Sequence, residues 1–339
     1  MKQFLKNITR FSIICLIPAL LLLLAGYVYF DPFKVLYKYK SNETTTAEHD
    51  IFPFNRDFTG TEFLIRHYQQ YKYNSFIFGS SRARIYRTQE WKKYLQPDDV
   101  AFSFNGAGES VYGIYKKMCY LDAKNIKIKN ALIVICRDWT FAHDDNQNAL
   151  ILVKHPEISG ESKLFFHWLN LKYYFNKYYL KPFYTYQLTH QYQPWMSDVV
   201  SPMPIEFNHV YNESILTGLD SLLTENAAKY YNDRKDVFYK RTGEKTDSVE
   251  RINAKQVFML NEIKRILIKN NTNYRVICSP LYEQIKFHPN DMKKLTAIFG
   301  VHLFDFSGKN GFTDSITNYY ENSHCRPMVG DSILKIIYK

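Results

Sequence analysis

The 339-residue sequence has little of what metal sites and nucleic-acid sites require. Its five cysteines form neither a Cys-x-x-Cys pair nor a zinc-finger spacing, and their odd number gives no basis for a set of structural disulfides. Lys and Arg outnumber Asp and Glu by 44 to 33, but they are scattered and no nucleic-acid motif accompanies them. We therefore expect no metal, no organic cofactor and no nucleic-acid partner.

The chain has only one long apolar run, at residues 11–30, which reads FSIICLIPALLLLLAGYVYF. Twenty helical residues span about 30 Å, the thickness of the hydrocarbon core of a bilayer. Neither an Ala-x-Ala cleavage site nor a lipobox cysteine accompanies the run, which favours an uncleaved signal anchor over a cleaved signal peptide. The prediction is a cytoplasmic tail at 1–10, a single-pass membrane helix at 11–30 and an extracytoplasmic remainder.

The remainder is rich in aromatic residues, with 28 Tyr and 25 Phe in the whole chain, as expected of a folded protein. Residues 31–73 are predicted to form a stalk and a lead-in segment. Within it, the polar stretch Ser41 to His49 is expected to be a loop, and Phe58 to Lys72 is expected to be a helix. A single folded domain is predicted over 74–339.

Short apolar runs alternate with helical patterns through this domain, which predicts an α/β fold with a parallel sheet covered by helices on both faces. The predicted strands are Ser75–Phe78, Val100–Phe104, Ala131–Cys136, Tyr274–Cys278 and His302–Phe306. The predicted helices are Val111–Asp122, Ser248–Asn270, Asp291–Phe299 and Gly330–Tyr338.

Residues 140–247 break the alternation, and we expect a mostly helical insertion over one rim of the sheet. Its many aromatic side chains fit a lid that binds sugar rings. They fit equally well a structural core or a surface close to the membrane.

A Gly-Ser-Ser-Arg sequence, Gly79 to Arg82, follows the first predicted strand. Ligands of open parallel sheets bind outside the carboxyl ends of the strands, so Ser80 and Ser81 are predicted to lie at that edge. Gly79 permits a tight turn there. Taken alone, the segment also fits a strand-to-helix turn with a serine cap.

The second predicted strand ends at the same edge in Asn105-Gly106-Ala107-Gly108-Glu109. Its glycines allow backbone N–H groups to face a ligand and, with the N–H of Ser81, to form an oxyanion hole. Asn105 could add its side-chain amide, and Glu109 is a candidate partner for an arginine such as Arg82 or Arg84. A flexible turn without function is the alternative.

A carboxylate and a histidine occur together near the C-terminus, in Glu321-Asn322-Ser323-His324. A carboxylate three residues before a histidine can bind its Nδ1–H, which fixes the tautomer and leaves Nε2 free to take a proton from a serine. Cys325 is adjacent to His324, but two neighbours on a short loop rarely face each other. Arg137 and Asp138, after the third strand, either bind substrate or solvate a loop.

These segments resemble those of the SGNH/GDSL hydrolase superfamily, which has a nucleophilic Ser after its first strand and Asp-x-x-His before its last helix. More narrowly, the chain is similar to the membrane-anchored branch with Gly-Ser-Ser, which includes the teichoic acid D-alanyl transfer protein and alginate O-acetylation proteins. The similarity covers about residues 74–139 and 249–339. It implies a flavodoxin-like sheet.

The resemblance also implies roles for individual residues. Ser81 would be the nucleophile, His324 the base and Glu321 the acid, with Gly108 in the oxyanion hole. Asn105, Ser80 and Arg82 are further candidates for oxyanion or substrate contacts. The chain departs from the superfamily in having Glu for Asp and in lacking the third-block Gly-x-Asn-Asp, near which Arg137-Asp138 stands.

The expected function is that of a membrane-tethered serine esterase or O-acyltransferase acting on a cell-envelope polysaccharide or related polymer. By resemblance, a membrane-bound O-acyltransferase would deliver the acyl group. A catalytically inactive accessory or glycan-binding module of an acylation system is the alternative hypothesis. A purely structural envelope protein is a third, and it predicts no pocket at Ser81.

Overall fold

The computed structural model describes residues 1–37, 55–147, 150–197, 199–200, 206–208 and 210–339. The predicted loop Ser41–His49 lies outside the described residues. Of the predicted stalk and lead-in segment at 31–73, residues 38–54 lie outside them.

A five-stranded parallel sheet forms the centre of the molecule, which confirms the predicted α/β class. The strands are β1 (Ser75–Gly79), β2 (Ala101–Ser103), β3 (Asn130–Ile135), β4 (Asn273–Cys278) and β5 (Leu303–Asp305). They lie side by side in the order β2-β1-β3-β4-β5. Ser75 at the start of β1 pairs with Ala101 on one side and Asn130 on the other.

The inner strands are apolar at consecutive positions because both faces of the sheet are covered. Successive side chains point to opposite faces, so Phe76 and Phe78 enter one core and Ile77 enters the other. The first core also contains Met118 and Leu260 from the helices on that side. The two hydrophobic cores, one on each face of the sheet, thus explain why the strand sequences are near-continuous apolar runs.

Helices cover both faces, and each predicted helix of the domain is present with shifts at its ends. The helices that follow the N-terminal one are α2 (Arg56–Tyr71), α3 (Thr88–Lys92), α4 (Val111–Ala123), α5 (Pro156–Ser159), α6 (Lys163–Tyr174), α7 (Lys177–Thr189), α8 (Thr217–Asn232), α9 (Ala254–Lys269), α10 (Pro289–Phe299) and α11 (Pro327–Ile337). Helix α9 begins six residues later than predicted, since Asn253 and Gln256 form a capping box.

The insertion at 140–247 contains α5 to α8 and, in addition, an antiparallel hairpin of Glu206–Asn208 with Glu213–Ile215. Several of its aromatic side chains, such as Phe166 and Phe183, are buried in a core of their own. Those aromatic residues are therefore structural.

The N-terminal helix α1 (Lys2–Phe30) is 29 residues long with a mean hydropathy of 2.5 in its most apolar window, of which 6% is buried. Within the described part of the chain, it is the one helix long and apolar enough to cross a membrane. Helices of this kind occur both as membrane anchors and as signal sequences.

The C-terminal end of α1 packs against the insertion. The hydroxyl of Tyr174 donates to the carbonyl of Leu23 over 2.9 Å, and its ring lies 5.0 Å from the buried ring of Tyr27. Phe33 and Val35, just beyond the helix, are buried in the same core. The segment 31–37, which directly follows α1, therefore packs against the insertion.

Candidate active site

Ser81 lies at the carboxyl end of β1, at the first position of a 3₁₀ turn, Ser81–Ile85. Gly79 at the end of the strand has φ +141°, and a Cβ there would lie 2.6 Å from the carbonyl oxygen of Val134. Only glycine fits at this close approach of β1 to its paired strand β3. The Ser80 hydroxyl accepts from the N–H of Arg82 over 3.3 Å, so Ser80 caps the turn.

His324 lies in a short hairpin of Tyr319–Glu321 with His324–Cys325, directly before α11. The helix packs tightly on the 3₁₀ turn, because a Cβ on Gly330 would lie 2.2 Å from the carbonyl oxygen of Ile85. Only the missing side chain of Gly330 allows this approach. The packing holds the hairpin next to the turn that carries Ser81.

Ser81, His324 and Glu321 form a continuous hydrogen-bonded chain. The Oγ of Ser81 lies 2.7 Å from Nε2 of His324, and Nδ1 of His324 forms a short contact with Oε1 of Glu321. With its Nδ1–H facing the carboxylate, the imidazole presents Nε2 as the acceptor for the serine hydroxyl. The three side chains meet although 243 sequence positions separate Ser81 from His324.

Ser323 is a contributor that sequence reasoning missed. Its backbone N–H and its hydroxyl both donate to Oε2 of Glu321, each over 2.8 Å. Burial alone would raise the pKa of Glu321, but the hydrogen bonds and charge of His324, together with those from Ser323, outweigh it and hold the pKa below its ordinary value. The carboxylate is therefore kept ionised beside the imidazole. The sequence feature that could have indicated this role is the serine directly before the histidine in Glu321-Asn322-Ser323-His324.

Arg82 forms hydrogen bonds to two parts of the site that are far apart in the sequence, the loop after β3 and the hairpin before α11. Its guanidinium donates to both carboxylate oxygens of Asp138, one over 2.9 Å, and its Nε donates to the carbonyl of Ser323 over 3.2 Å. The loop after β3 is thereby connected to the hairpin that carries His324. Asp138 thus holds Arg82 in place.

The predicted pairing of Glu109 with Arg82 or Arg84 is wrong. Glu109 is fully buried and pairs with Lys117 and Lys154. A buried carboxylate needs a buried counter-ion, and both lysines are buried. They lie next to the loop at residues 104–110 that follows β2, called the β2 loop.

Replacement of Asp138 by asparagine is expected to cost stability in a pH-dependent way. Burial would raise the pKa of Asp138, but its bonds to Arg82 outweigh this and lower it to about 2. Because the pKa of Asp138 is lower in the folded state than in the unfolded state, its ionised carboxylate adds about 2 kcal/mol to the free energy of unfolding above about pH 4. That contribution is lost as the pH falls toward 2 and the carboxylate is protonated. Urea unfolding of wild type and Asp138→Asn should therefore differ at pH 6 and converge at pH 2.

The exposed Asp98 gives the matched control, since its side chain is 78% exposed and lies 3.5 Å from Lys129. Asp98→Asn is expected to change the free energy of unfolding by no more than about 0.5 kcal/mol at either pH. A difference between wild type and Asp138→Asn that stays constant from pH 6 to pH 2 would contradict the assigned ion pair.

A cavity opens beside Ser81 and His324, and the insertion supplies one of its walls. Residues 213–216, from the second strand of the insertion's hairpin and the residue after it, form part of the cavity lining. Asn105, predicted as a ligand contact, lines the cavity. Ser80, Arg82 and Gly108 do not belong to its described lining. Gly108 instead faces Leu152 and Trp139.

Asn105 is buried, and its Oδ1 has no hydrogen-bond partner among the residues that the structure describes. Its Nδ2 lies 2.6 Å from Oγ of Ser103, a separation more typical of two oxygens than of an amide N–H and an oxygen. With the amide rotated, Ser103 would donate to Oδ1, and Nδ2 would be the atom left without a partner among the described residues. Asn105 is therefore the candidate for a second N–H donor beside Ser81.

Cys325 is not suited to act as a nucleophile. Burial raises the pKa of its thiol to about 12, and its Sγ donates to the carbonyl of Pro280 over 3.3 Å. A thiol becomes reactive as the thiolate, so Cys325 stays protonated and inert at neutral pH.

Across the described residues, His, Cys, Asp and Glu side chains form no group of three or more arranged to hold a metal ion. Comparison with protein-family models and with curated proteins finds no match to this chain.

Proposed function

We propose that the protein is a serine-dependent esterase or O-acyltransferase. The observation that carries the proposal is the hydrogen-bonded chain from Ser81 through His324 to Glu321, with a cavity open at the serine. A hydroxyl held 2.7 Å from an imidazole nitrogen, with a carboxylate on the opposite nitrogen, has the arrangement that activates serine in acyl transfer.

We propose membership of the SGNH/GDSL hydrolase superfamily, and the topology supports it. The strand order 2-1-3-4-5 is that of flavodoxin-like sheets. In these sheets ligands bind at the carboxyl ends of the strands, near the point where strand order reverses between β1 and β3. Ser81 follows β1 at this edge, and Asp138 follows β3.

The reaction has two half-reactions. Ser81 Oγ attacks the acyl carbonyl while its proton passes to Nε2 of His324, which gives a tetrahedral intermediate. Collapse breaks the bond to the leaving group, which takes the proton from His324, and an acyl-serine ester remains. Water or a sugar hydroxyl then gives its proton to His324, attacks the ester and releases the acid or the acylated product, while Ser81 regains the proton.

The developing oxyanion needs donors in the cavity wall. The N–H of Ser81 is at the first position of its turn, where the turn itself does not use it. The rotated amide of Asn105 supplies a second donor. Two such donors can replace the missing third-block motif.

We propose that α1 is a retained anchor that tethers the domain to the outer face of the cytoplasmic membrane. Its last two turns share a core with the insertion, and Tyr27 there is buried. Cleavage after such a helix would expose that core, which favours retention. An envelope polysaccharide or related polymer is then within reach as the substrate, and a membrane-bound O-acyltransferase is the partner that could supply acyl groups.

A catalytically silent binding module is the second candidate function. It is favoured by the absence of the superfamily's third-block motif and by the position of Gly108, which faces Leu152 and Trp139 instead of the cavity. Such a module would retain the cavity but would not form an acyl-enzyme.

A fluorophosphonate probe separates the two candidates. The full-length protein in detergent is expected to be labelled, with the label on the peptide that contains Ser81. Labelling should be lost in Ser81→Ala and kept in Ser332→Ala, which changes an exposed serine on α11. Absence of labelling in the folded wild type, or persistence in Ser81→Ala, would reject the serine mechanism.

A further inference from the structure

Helix α7 of the insertion runs alongside the end of α1 in the opposite direction. Near its start, the ring of Tyr179 lies 4.8 Å from the ring of Phe33, which follows α1. Further along α7, the hydroxyl of Tyr184 lies so close to Gly26 that a Cβ there would be 2.2 Å from it. Each turn toward the C-terminal end of α7 therefore lies one turn further back along α1.

This direction places the last turn of α7 beside the membrane-spanning part of α1. In the proposed anchor the apolar run 11–30 spans the hydrocarbon core, so Gly26, four residues before its end, lies about 6 Å inside the outer edge of that core. Leu188 comes four residues after Tyr184, which is one further turn of about 6 Å. Leu188 therefore lies deeper in the outer leaflet than Gly26.

Leu188 has little protein around it at this depth. Its side chain is 82% exposed, and Thr189 and His190, which end the helix, are exposed as well. Transfer of an exposed leucine from water to hydrocarbon is favourable. The acyl chains of the outer leaflet are thus the surroundings that suit this side chain best.

The same two helices carry pairs of tryptophan and lysine at their surface. Trp168 on α6 and Trp195, which follows α7, are each about half exposed. The Nζ of Lys172 lies 5.5 Å from the ring of Trp168, and the Nζ of Lys181 lies 4.8 Å from the ring of Trp195. Tryptophan is enriched where a bilayer meets water, and a lysine there extends its amine to the headgroups.

The charge of this region has one sign. Residues 162–197, which include α6, α7 and the 3₁₀ turn Pro194–Met196, contain four lysines and neither Asp nor Glu. All four lysines are exposed. A leaflet that contains anionic phospholipid attracts such a surface.

We infer that α6 and α7 lie in the outer leaflet of the membrane, where the last turn of α7 contacts acyl chains through Leu188 and the tryptophans and lysines lie among the phospholipid headgroups. The inference rests on the proposed retention of α1 as an anchor and not on the serine mechanism. Because the insertion also supplies one wall of the cavity at Ser81, this contact sets the height of the cavity above the bilayer.

The test measures the depth of α7 in full-length protein in nanodiscs that contain phosphatidylglycerol. Cys15→Ala and Cys119→Ala remove the accessible native thiols, since the other three cysteines are buried. One cysteine for an NBD fluorophore is then introduced, either by Leu188→Cys or by Tyr178→Cys, ten residues earlier and about 15 Å away along α7. Val301→Cys, at a side chain 87% exposed directly before β5, is the matched control.

Nitroxide-labelled phospholipid should quench the fluorophore most at residue 188, less at residue 178 and least at residue 301. Aqueous iodide should quench it about tenfold less at residue 188 than at residue 301, because the hydrocarbon core excludes a small anion. Thr189→Cys, at the next exposed position, serves if Leu188→Cys does not fold.

Three results would overturn the inference. They are equal lipid quenching at the three positions, the reverse order along α7, and a fluorophore at residue 188 that neither quencher reaches, as expected if a protein partner covers it.

A fluorophore on Cys15 itself, in protein with Cys119→Ala, tests the anchor separately, because Cys15 lies within α1 and is exposed. Lipid quenching at Cys15 without lipid quenching at residue 188 leaves the anchor standing and removes the contact of α7 with the bilayer. Free access of iodide to Cys15 rejects the anchor and, with it, the depth assigned to Leu188.

Discussion

Hydrolysis of p-nitrophenyl acetate by the full-length protein is expected to fall by about 10³-fold or more in either Ser81→Ala or His324→Ala. In the proposed mechanism the serine supplies the attacking oxygen and the imidazole, 2.7 Å away, takes its proton, so neither would act without the other. The double variant should therefore be no slower than the slower single variant. Steady-state kinetics with all four proteins measures this directly.

Two results would contradict this account. A double variant that loses the product of the two single losses would mean that Ser81 and His324 act independently. A loss of less than about tenfold in His324→Ala would mean that another base serves the serine. Ser332→Ala is the control, and its rate should equal that of wild type because this exposed hydroxyl donates to the carbonyl of Met328 in its own helix.

The strands were predictable from the sequence because of how they are buried. Each inner strand has cores on both faces, so it is a near-continuous apolar run. The predicted β1 and β4 differ from the observed strands by one residue at one end, and the predicted β3 differs by one residue at each end. The start of α9 was missed, since the apolar pattern continued through Ile252 into the preceding loop. The Asn253–Gln256 capping box marks the observed start.

The candidate triad was predictable for a different reason. Serine at a strand end and a carboxylate three residues before histidine are local patterns with one chemical use in common. The bonds of Arg82 to Asp138 and to Ser323 join loops far apart in the chain, and no local pattern marks them.

Glu109 shows why the partners of a buried charge are hard to predict. Its pattern, a carboxylate after two glycines at the sheet edge, fits an exposed partner for Arg82 as well as it fits a buried one. The structure pairs it with Lys117 from α4 and Lys154 from the insertion, and both lysines also contact Asp57 at the start of α2. These four residues form the buried charge cluster, and each of their side chains is at most 5% exposed.

Lys117→Met is expected to lower the free energy of unfolding by about 3–5 kcal/mol, because it leaves two carboxylates facing a single lysine out of contact with water. Lys117 lies 2.6 Å from Asp57, contacts Glu109 and donates to the carbonyl of Phe104 over 3.1 Å. Burial would raise the pKa of Asp57, but the two lysines outweigh it and hold the pKa below its ordinary value, so the carboxylate stays charged. Urea unfolding at neutral pH measures the loss.

Lys269→Met is the matched control for this prediction. Its Nζ lies 2.8 Å from Asp122, but the lysine side chain is 58% exposed, so the change is expected to cost at most about 1 kcal/mol. Glu109→Gln added to Lys117→Met removes the excess negative charge and should recover part of the stability. A Lys117→Met protein as stable as the control would show that the buried charge cluster does not hold the β2 loop, α2, α4 and the insertion together. Asn105, which lies on that loop, would then need another support at its place in the cavity wall.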